Sequence, residues 1–190
     1  MKPLDMKEIA IIDAFPVYDH KKIILNVGCG EAKLDYHLAS MGYRIYATDA
    51  IEPKYEKAPH NLTFHYSDIY TPSSFPIHSS PIVICSQVLE HLKDYKLALT
   101  NLITLTSVRL IITFPHRKSF CMHGHRNFWN DSPSKKFKDV HEFIELCKPY
   151  SVSISKIRTK PEDRNGNYDY LVVVDKRQDL INPDWTEGSR

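Results

Sequence analysis

The sequence predicts an α/β fold: a seven-stranded, mostly parallel sheet whose last strand is antiparallel, with helices on both faces. Three observations carry this. Short apolar runs alternate with segments of helix length, the pattern that lays helices over both sides of a parallel sheet. The first run, Lys22 to Val27, holds an unbroken Ile-Ile-Leu, as a strand buried on both faces requires. Near the end of the chain, Asn165-Gly166 is a tight-turn dipeptide between two β-rich runs, the mark of an antiparallel hairpin.

The strands follow in order. After Lys22–Val27, which ends at Gly28, come Arg44–Thr48, Leu62–Tyr66, Ile82–Ser86 and Val108–Phe114. Each is rich in β-branched or aromatic residues and bounded by Gly, Pro, Asp or Ser. These five are expected to be parallel. Val152–Arg158 and Tyr168–Asp175 form the hairpin. Between them, Lys33–Met41 puts Leu34, Leu38 and Met41 on one helical face, and Asp94–Leu105 does the same with Leu97, Leu102 and Leu105. Ser134–Cys147 spaces Phe137, Val140, Ile144 and Cys147 by three and four, and Pro149 stops it.

With 190 residues, 42% hydrophobic and 25% charged, the chain has the size and composition of one globular domain over residues 1–190. Residues 178–190, polar with Pro and Gly, read as a loosely ordered tail that Trp185 can dock. At this length roughly 70% of the unfolded surface is buried on folding, so cross-links are unnecessary. The four cysteines include no CxxC pair, and two are expected within apolar strand-like runs. Reduced thiols and a cytoplasmic setting are expected. The first ten residues carry no signal-like apolar stretch, and no window reaches the roughly 20 apolar residues of a membrane span. A formal charge of +2 with ten histidines does not indicate a nucleic-acid partner, though it leaves one open.

The chemistry-bearing segments sit at strand ends. Asn26-Val27-Gly28-Cys29-Gly30 opens the first strand-to-helix turn, where glycine permits a tight turn and close backbone approach. Nineteen residues after Gly30, Asp49 closes the second strand, where a carboxylate can accept both hydroxyls of a ribose. The dinucleotide fingerprint asks for Gly or Ala where this chain has Lys33, which disfavours a pyrophosphate and a nicotinamide-dependent oxidoreductase.

Leu25–Gly30, Ala47-Thr48-Asp49, Tyr66-Ser67-Asp68-Ile69 and Ser86-Gln87-Val88-Leu89-Glu90-His91-Leu92 resemble, in order, the successive motifs of the Rossmann-like class I methyltransferases. The resemblance implies S-adenosyl-L-methionine as cofactor. It implies that Gly28 and Gly30 pack on its methionine part, Asp49 holds the ribose, Asp68 receives the adenine amino group, Ile69 flanks the ring, and Ser86 and Gln87 line the transfer site. Two positions depart from the family: Asn26 stands where an acid is usual, and Ala32 where a third glycine is usual. Glu31 is a candidate to supply the missing charge to the methionine ammonium.

Methyl transfer needs positioning, and a base only when the acceptor must lose a proton. His91, His116 and His125 are the candidate catalytic histidines. The segment from Phe114 to Asn130 is long for a connection and reads as an acceptor lid. Glu90, His123, Arg126, Phe128 and Trp129 are the candidate acceptor-binding residues, with aromatics to stack on a planar or sugar acceptor and Arg126 for an anion. A small molecule, sugar or nucleotide is the expected acceptor. Glu90, His91, His123 and His125 also resemble the metal set of small-RNA 3′-end methyltransferases, but Gln87 replaces that set's first glutamate and no metal is expected. A further reading, prompted by Asn26 and Ala32, is an inactive cofactor-binding partner subunit.

Overall fold

The structure is a computed structural model and describes residues 3–16, 23–51, 58–116, 141–158 and 168–176. All seven strands form: β1 (Ile23–Val27), β2 (Arg44–Asp49), β3 (Leu62–Tyr66), β4 (Ser80–Ser86), β5 (Thr106–Pro115), β6 (Ser151–Arg158) and β7 (Tyr168–Asp175). They make one sheet in the order β3-β2-β1-β4-β5-β7-β6. The first five are parallel, and β7 runs antiparallel to both β5 and β6. The described helices are α1 (Met6–Asp13), α2 (Lys33–Ser40), α3 (Tyr95–Leu105) and α4 (His141–Leu146). Residues 134–140 of the expected third helix, the turn at Asn165-Gly166 and the tail 178–190 lie outside the described residues.

Two cores flank the sheet, because successive residues of a strand point to opposite faces. On one face Ile24, Ile45, Ile84, Ile111 and Val173 pack under Ile11 of α1 and Leu34 and Leu38 of α2. On the other, Leu25, Val83, Ile112 and Val172 pack under Leu99 and Leu102 of α3 and Phe143 of α4. Both alternating sets are buried, which is why β1 reads as an unbroken apolar run. Each such side chain contributes about 1.5–3 kcal/mol. Cys85 lies in β4, whereas Cys29 follows β1 and Cys147 follows α4, so only one of the described cysteines is in a strand; all three are free thiols.

The helix α1 was not expected from the sequence. Its start is a capping box: Asp5 Oδ1 accepts from the amides of Lys7 and Glu8 at 2.9 Å, and Glu8 Oε2 accepts from the Asp5 amide at 2.7 Å. The N-terminal end of α1 lies at the carboxyl edge of the parallel strands, where Lys33 at the start of α2 reaches Glu8 at 2.6 Å. Its other end lies at the opposite edge. There Arg109 of β5 forks onto both carboxylate oxygens of Asp175 on β7 and donates a third bond to the Ala14 carbonyl at 2.7 Å. One guanidinium thus ties two strands to α1.

Arg109→Ala is therefore expected to lower stability by about 1–3 kcal/mol in chemical denaturation. Lys148→Ala, which removes an exposed pair with Glu145, should change it by about 0–1 kcal/mol.

Candidate cofactor and transfer site

Strand order reverses between β1 and β4, since β2 and β3 follow on one side and β5 on the other. Crevices at such switch points are where open α/β sheets bind ligands. The turn after β1 is pinned to the end of β2: the Thr48 carbonyl accepts from the Gly28 amide at 2.8 Å and the Cys29 amide at 3.0 Å. Gly28 has φ +78°, and a Cβ there would meet Val88 Cγ2 at 2.2 Å, so the loops after β1 and β4 abut at the switch point. Around Gly30, φ +52°, the space is open. Its amide donates to Asp49 Oδ2 at 2.9 Å, while Asp49 Oδ1 accepts from the Ile51 amide at 3.2 Å. The half-exposed Asp49 carboxylate is held in one orientation beside an open glycine backbone, which fits a ribose-bearing ligand.

Ala32 begins α2 in a left-handed conformation, φ 53°, with no side-chain cap. This is the position where the resembling family carries its third glycine, and the conformation explains that preference. Asn26 is buried, and its Nδ2 donates to both oxygens of Asp35, in the first turn of α2, at 2.9 Å each. Asp35 is 0% exposed, so burial pushes its carboxyl up to about 7. The carboxyl group missing from position 26 thus sits on the next helix. Asp35 is the nearby acid, whereas Glu31 is exposed. Asp35 was missed in the sequence reading, although an acid on the otherwise apolar Leu34–Leu38–Ala39 face was a signal. Burial, with the charges of Asp35 and Asp49, also pushes Cys29 up to about 12, which keeps it a thiol.

At the end of β3, Asp68 Oδ1 accepts from the Tyr70 amide at 3.0 Å and its Oδ2 from the Thr71 hydroxyl at 3.1 Å. Ile69 is buried, and Asn101 of α3 holds its carbonyl at 2.9 Å. At the end of β4, the Ser86 and Thr113 hydroxyls meet at 2.7 Å. Gln87 takes a left-handed backbone, φ 57°, uncommon for a residue with a side chain and typical of places where surroundings hold strain. Its Nε2 lies 3.4 Å from both Thr113 Oγ1 and Asp169 Oδ2.

The structure separates the remaining candidates. Glu90 is buried at 3% exposure, whereas its neighbour His91 is exposed. His116 stacks on Tyr168 at 4.2 Å between ring centres and meets Tyr170 edge-on. His123, His125, Arg126, Phe128 and Trp129 lie outside the described residues. Among the described residues no group of three or more His, Cys, Asp or Glu side chains could hold a metal ion. The sequence reading also passed over Asp169 and Lys7, whose side chains come 3.7 Å apart beside Gln87.

Residues 25–107 match the family model of the methyltransferase domain. The chain has the class I methyltransferase fold. Among solved structures it resembles a protein described as an S-adenosylmethionine-dependent methyltransferase from Listeria monocytogenes, at 14% identity and a TM-score of 0.66, over 91% of this chain and 99% of that one. It also resembles the magnesium protoporphyrin IX methyltransferase of Synechocystis with bound S-adenosylmethionine, at 16% identity and TM-score 0.59, over 90% of this chain and 76% of that one. A third resemblance is to the complex of the Haloferax volcanii Trm112 methyltransferase activator with a methyltransferase, at 12% identity and TM-score 0.67, over 90% and 88%. No curated protein matches the chain in sequence. Among the described residues no helix is long and apolar enough to cross a membrane.

The Asn26–Asp35 pair gives the methyltransferase fold a measurable pH signature. The ordinary value of Asp35 is 3.8 and its folded value about 7, so the native state binds the proton more tightly. Its contribution to stability is complete below pH 3.8 and is lost as pH rises through about 7. Denaturation midpoints followed across that window should fall less steeply with pH in Asp35→Asn than in the unaltered protein. An equal slope would mean that Asp35 is not the titrating group.

Proposed function

We propose that the chain is an S-adenosylmethionine-dependent methyltransferase that delivers the methyl group to an oxygen or nitrogen of a small molecule, sugar or nucleotide. The observation that carries this reading is the convergence of the Gly28–Gly30 turn, the Asp49 carboxylate and the Ser86–Thr113–Gln87 hydrogen-bond chain at one carboxyl edge of the sheet. The match of residues 25–107 to the methyltransferase domain supports it.

In this reading Gly30 presents open backbone to the methionine part, and Gly28 keeps the floor of the turn flush with Val88. Asp49 accepts the ribose hydroxyls, and Asp68 and Ile69 bound the adenine end. The buried Asn26–Asp35 pair supplies negative potential beneath the glycine turn, the service an acid at position 26 gives in the resembling family. The cofactor, when bound, supplies an electrophilic methyl group on a sulfonium. Ser86 and Gln87 line the place where that methyl group is presented, and their fixed hydrogen bonds orient the acceptor without reorganisation. His116 is the candidate base at the top of β5; the exposed His91 is the other described candidate, and His125 remains a candidate by sequence. His123, Arg126, Phe128 and Trp129 remain the acceptor lid proposed from the sequence. The free thiols of Cys29, Cys85 and Cys147 support the cytoplasmic setting.

Calorimetric titration with S-adenosylmethionine, S-adenosylhomocysteine and NAD tests the reading. The two adenosyl compounds should bind at about micromolar Kd and NAD should not. Asp49→Ala should weaken the adenosyl compounds by about tenfold or more, through loss of the ribose hydrogen bonds. Unchanged affinity in that variant, or preferential binding of NAD, would overturn it.

A further inference from the structure

On the face carrying α1 and α2, four neighbouring strands end in polar side chains: Asn26 after Ile24, Ser86 after Ile84, Thr113 after Ile111, and Asp169 at the start of β7 ahead of Leu171. Asp35 accounts for Asn26. The other three form a chain. The Ser86 hydroxyl meets Thr113, Gln87 Nε2 bridges Thr113 and Asp169, and Lys7 Nζ lies 3.7 Å from Asp169 Oδ2. Both contacts of Asp169 fall on Oδ2. The buried Glu90, near enough for the charges of Asp169 and Lys7 to act on it, has an Oε2 atom without any hydrogen-bond partner.

A buried carboxyl oxygen left without a partner is destabilising, so such an atom next to a binding crevice marks a place for a ligand's donor. Among the described residues two buried carboxyl groups stand here beside one ammonium, that of Lys7. Burial raises the Asp169 carboxyl above its ordinary value, Lys7 opposes the rise, and the carboxylate of Asp5, the N-cap of α1, adds to it. Burial pushes Glu90 up to about 8, and the charge of Asp169 adds to the effect. At neutral pH Glu90 therefore mostly carries a proton, whose place a ligand cation can take. An anionic head group would meet repulsion from Asp169, whereas an ammonium brings a positive charge and three donors to the two carboxyl groups, of which a neutral hydroxyl offers one donor and no charge.

We propose that Asp169 and Glu90 form the acceptor subsite beside the transfer site, and that the group they bind is a protonated amine. This inference rests on the methyltransferase reading and adds the class of acceptor to it. The ammonium gives a proton to the Asp169 carboxylate, which passes it to solvent. The nitrogen lone pair then forms the N–C bond with the methyl group as the C–S bond breaks, and that electron pair stays on sulfur, leaving the neutral thioether. Lys7 is a positioning residue: it holds Asp169 at the edge of the crevice and offsets part of its charge. The helix α1 is thereby a wall of the acceptor subsite.

The test titrates protein saturated with S-adenosylhomocysteine with matched probes that differ only in the head group, tyramine against tyrosol and putrescine against butanediol. An amine should bind about tenfold or more tightly than its alcohol, and Asp169→Asn should abolish that preference while S-adenosylhomocysteine affinity holds. Lys7→Met should move the preference the other way, because it removes the offsetting charge; loss of a merely structural contact would not strengthen amine binding. This second variant carries the test if Asp169→Asn does not fold. Alcohols binding as well as amines, no amine binding, an unaltered preference in Asp169→Asn, or a weakened one in Lys7→Met would each overturn the proposal. Failure of S-adenosylhomocysteine to bind the unaltered protein would instead remove the methyltransferase reading beneath it.

Discussion

The contact between Gly28 and Val88 sets the geometry on which the ligand-binding edge depends. Strand order reverses between β1 and β4, so their connections leave the sheet in opposite directions and would ordinarily splay apart. Here they touch, with no room for even one methyl group at position 28. The Thr48 carbonyl holds the glycine turn from the β2 side, and Asp49 secures Gly30. Three strands thus fix one turn, and the carboxylate that closes β2 is oriented by the backbone it faces.

Strain gathers at this same edge. Ala32 and Gln87 both hold left-handed backbones, at about 1–2 kcal/mol each for residues with side chains, and both lie within one turn of the crevice. Buried polar groups gather there too, in Asn26, Asp35, Glu90 and Asp169. Away from that edge the sheet is covered mainly by apolar side chains, aliphatic and aromatic, on both faces. The two cores hold the rigid platform against which strained and charged groups can be kept in place. That division of labour is the one expected of a scaffold whose chemistry is confined to its strand ends.

The helix α1 links the two edges of the sheet. Through Arg109 it is fastened at the edge away from the crevice, and through Glu8 and Lys7 it reaches Lys33 and Asp169 at the crevice itself. A helix of eight residues has little stability of its own, so tertiary contacts hold it in place. Its sequence carried one clear local signal, the Asp5–Glu8 capping box. Its apolar side is short, and Ile11 is its only fully covered residue, so periodicity alone did not reveal it.

The seven strands and the helices α2 and α3 were legible in the sequence, because they rest on local physics: apolar runs bounded by turn residues, apolar residues at helical spacing, and glycine where a turn demands it, although Leu97 and Met41, expected on the buried helical faces, are exposed. Gly28, Gly30 and Asp49 were read as one unit from their spacing, and the structure bonds Gly30 to Asp49 and Gly28 to the adjacent Thr48. Strand order was beyond local reading, since the same crossovers serve several orders. So were the partnerships that cross it: Asn26 with Asp35, Gln87 with Asp169, and Asp169 with Lys7, which lies 162 positions earlier in the chain. Burial decides the character of these carboxylates, and burial belongs to the packed molecule rather than to any segment of it. A sequence displays an acid; only the fold determines whether that acid meets water, an amide or an unfilled donor site.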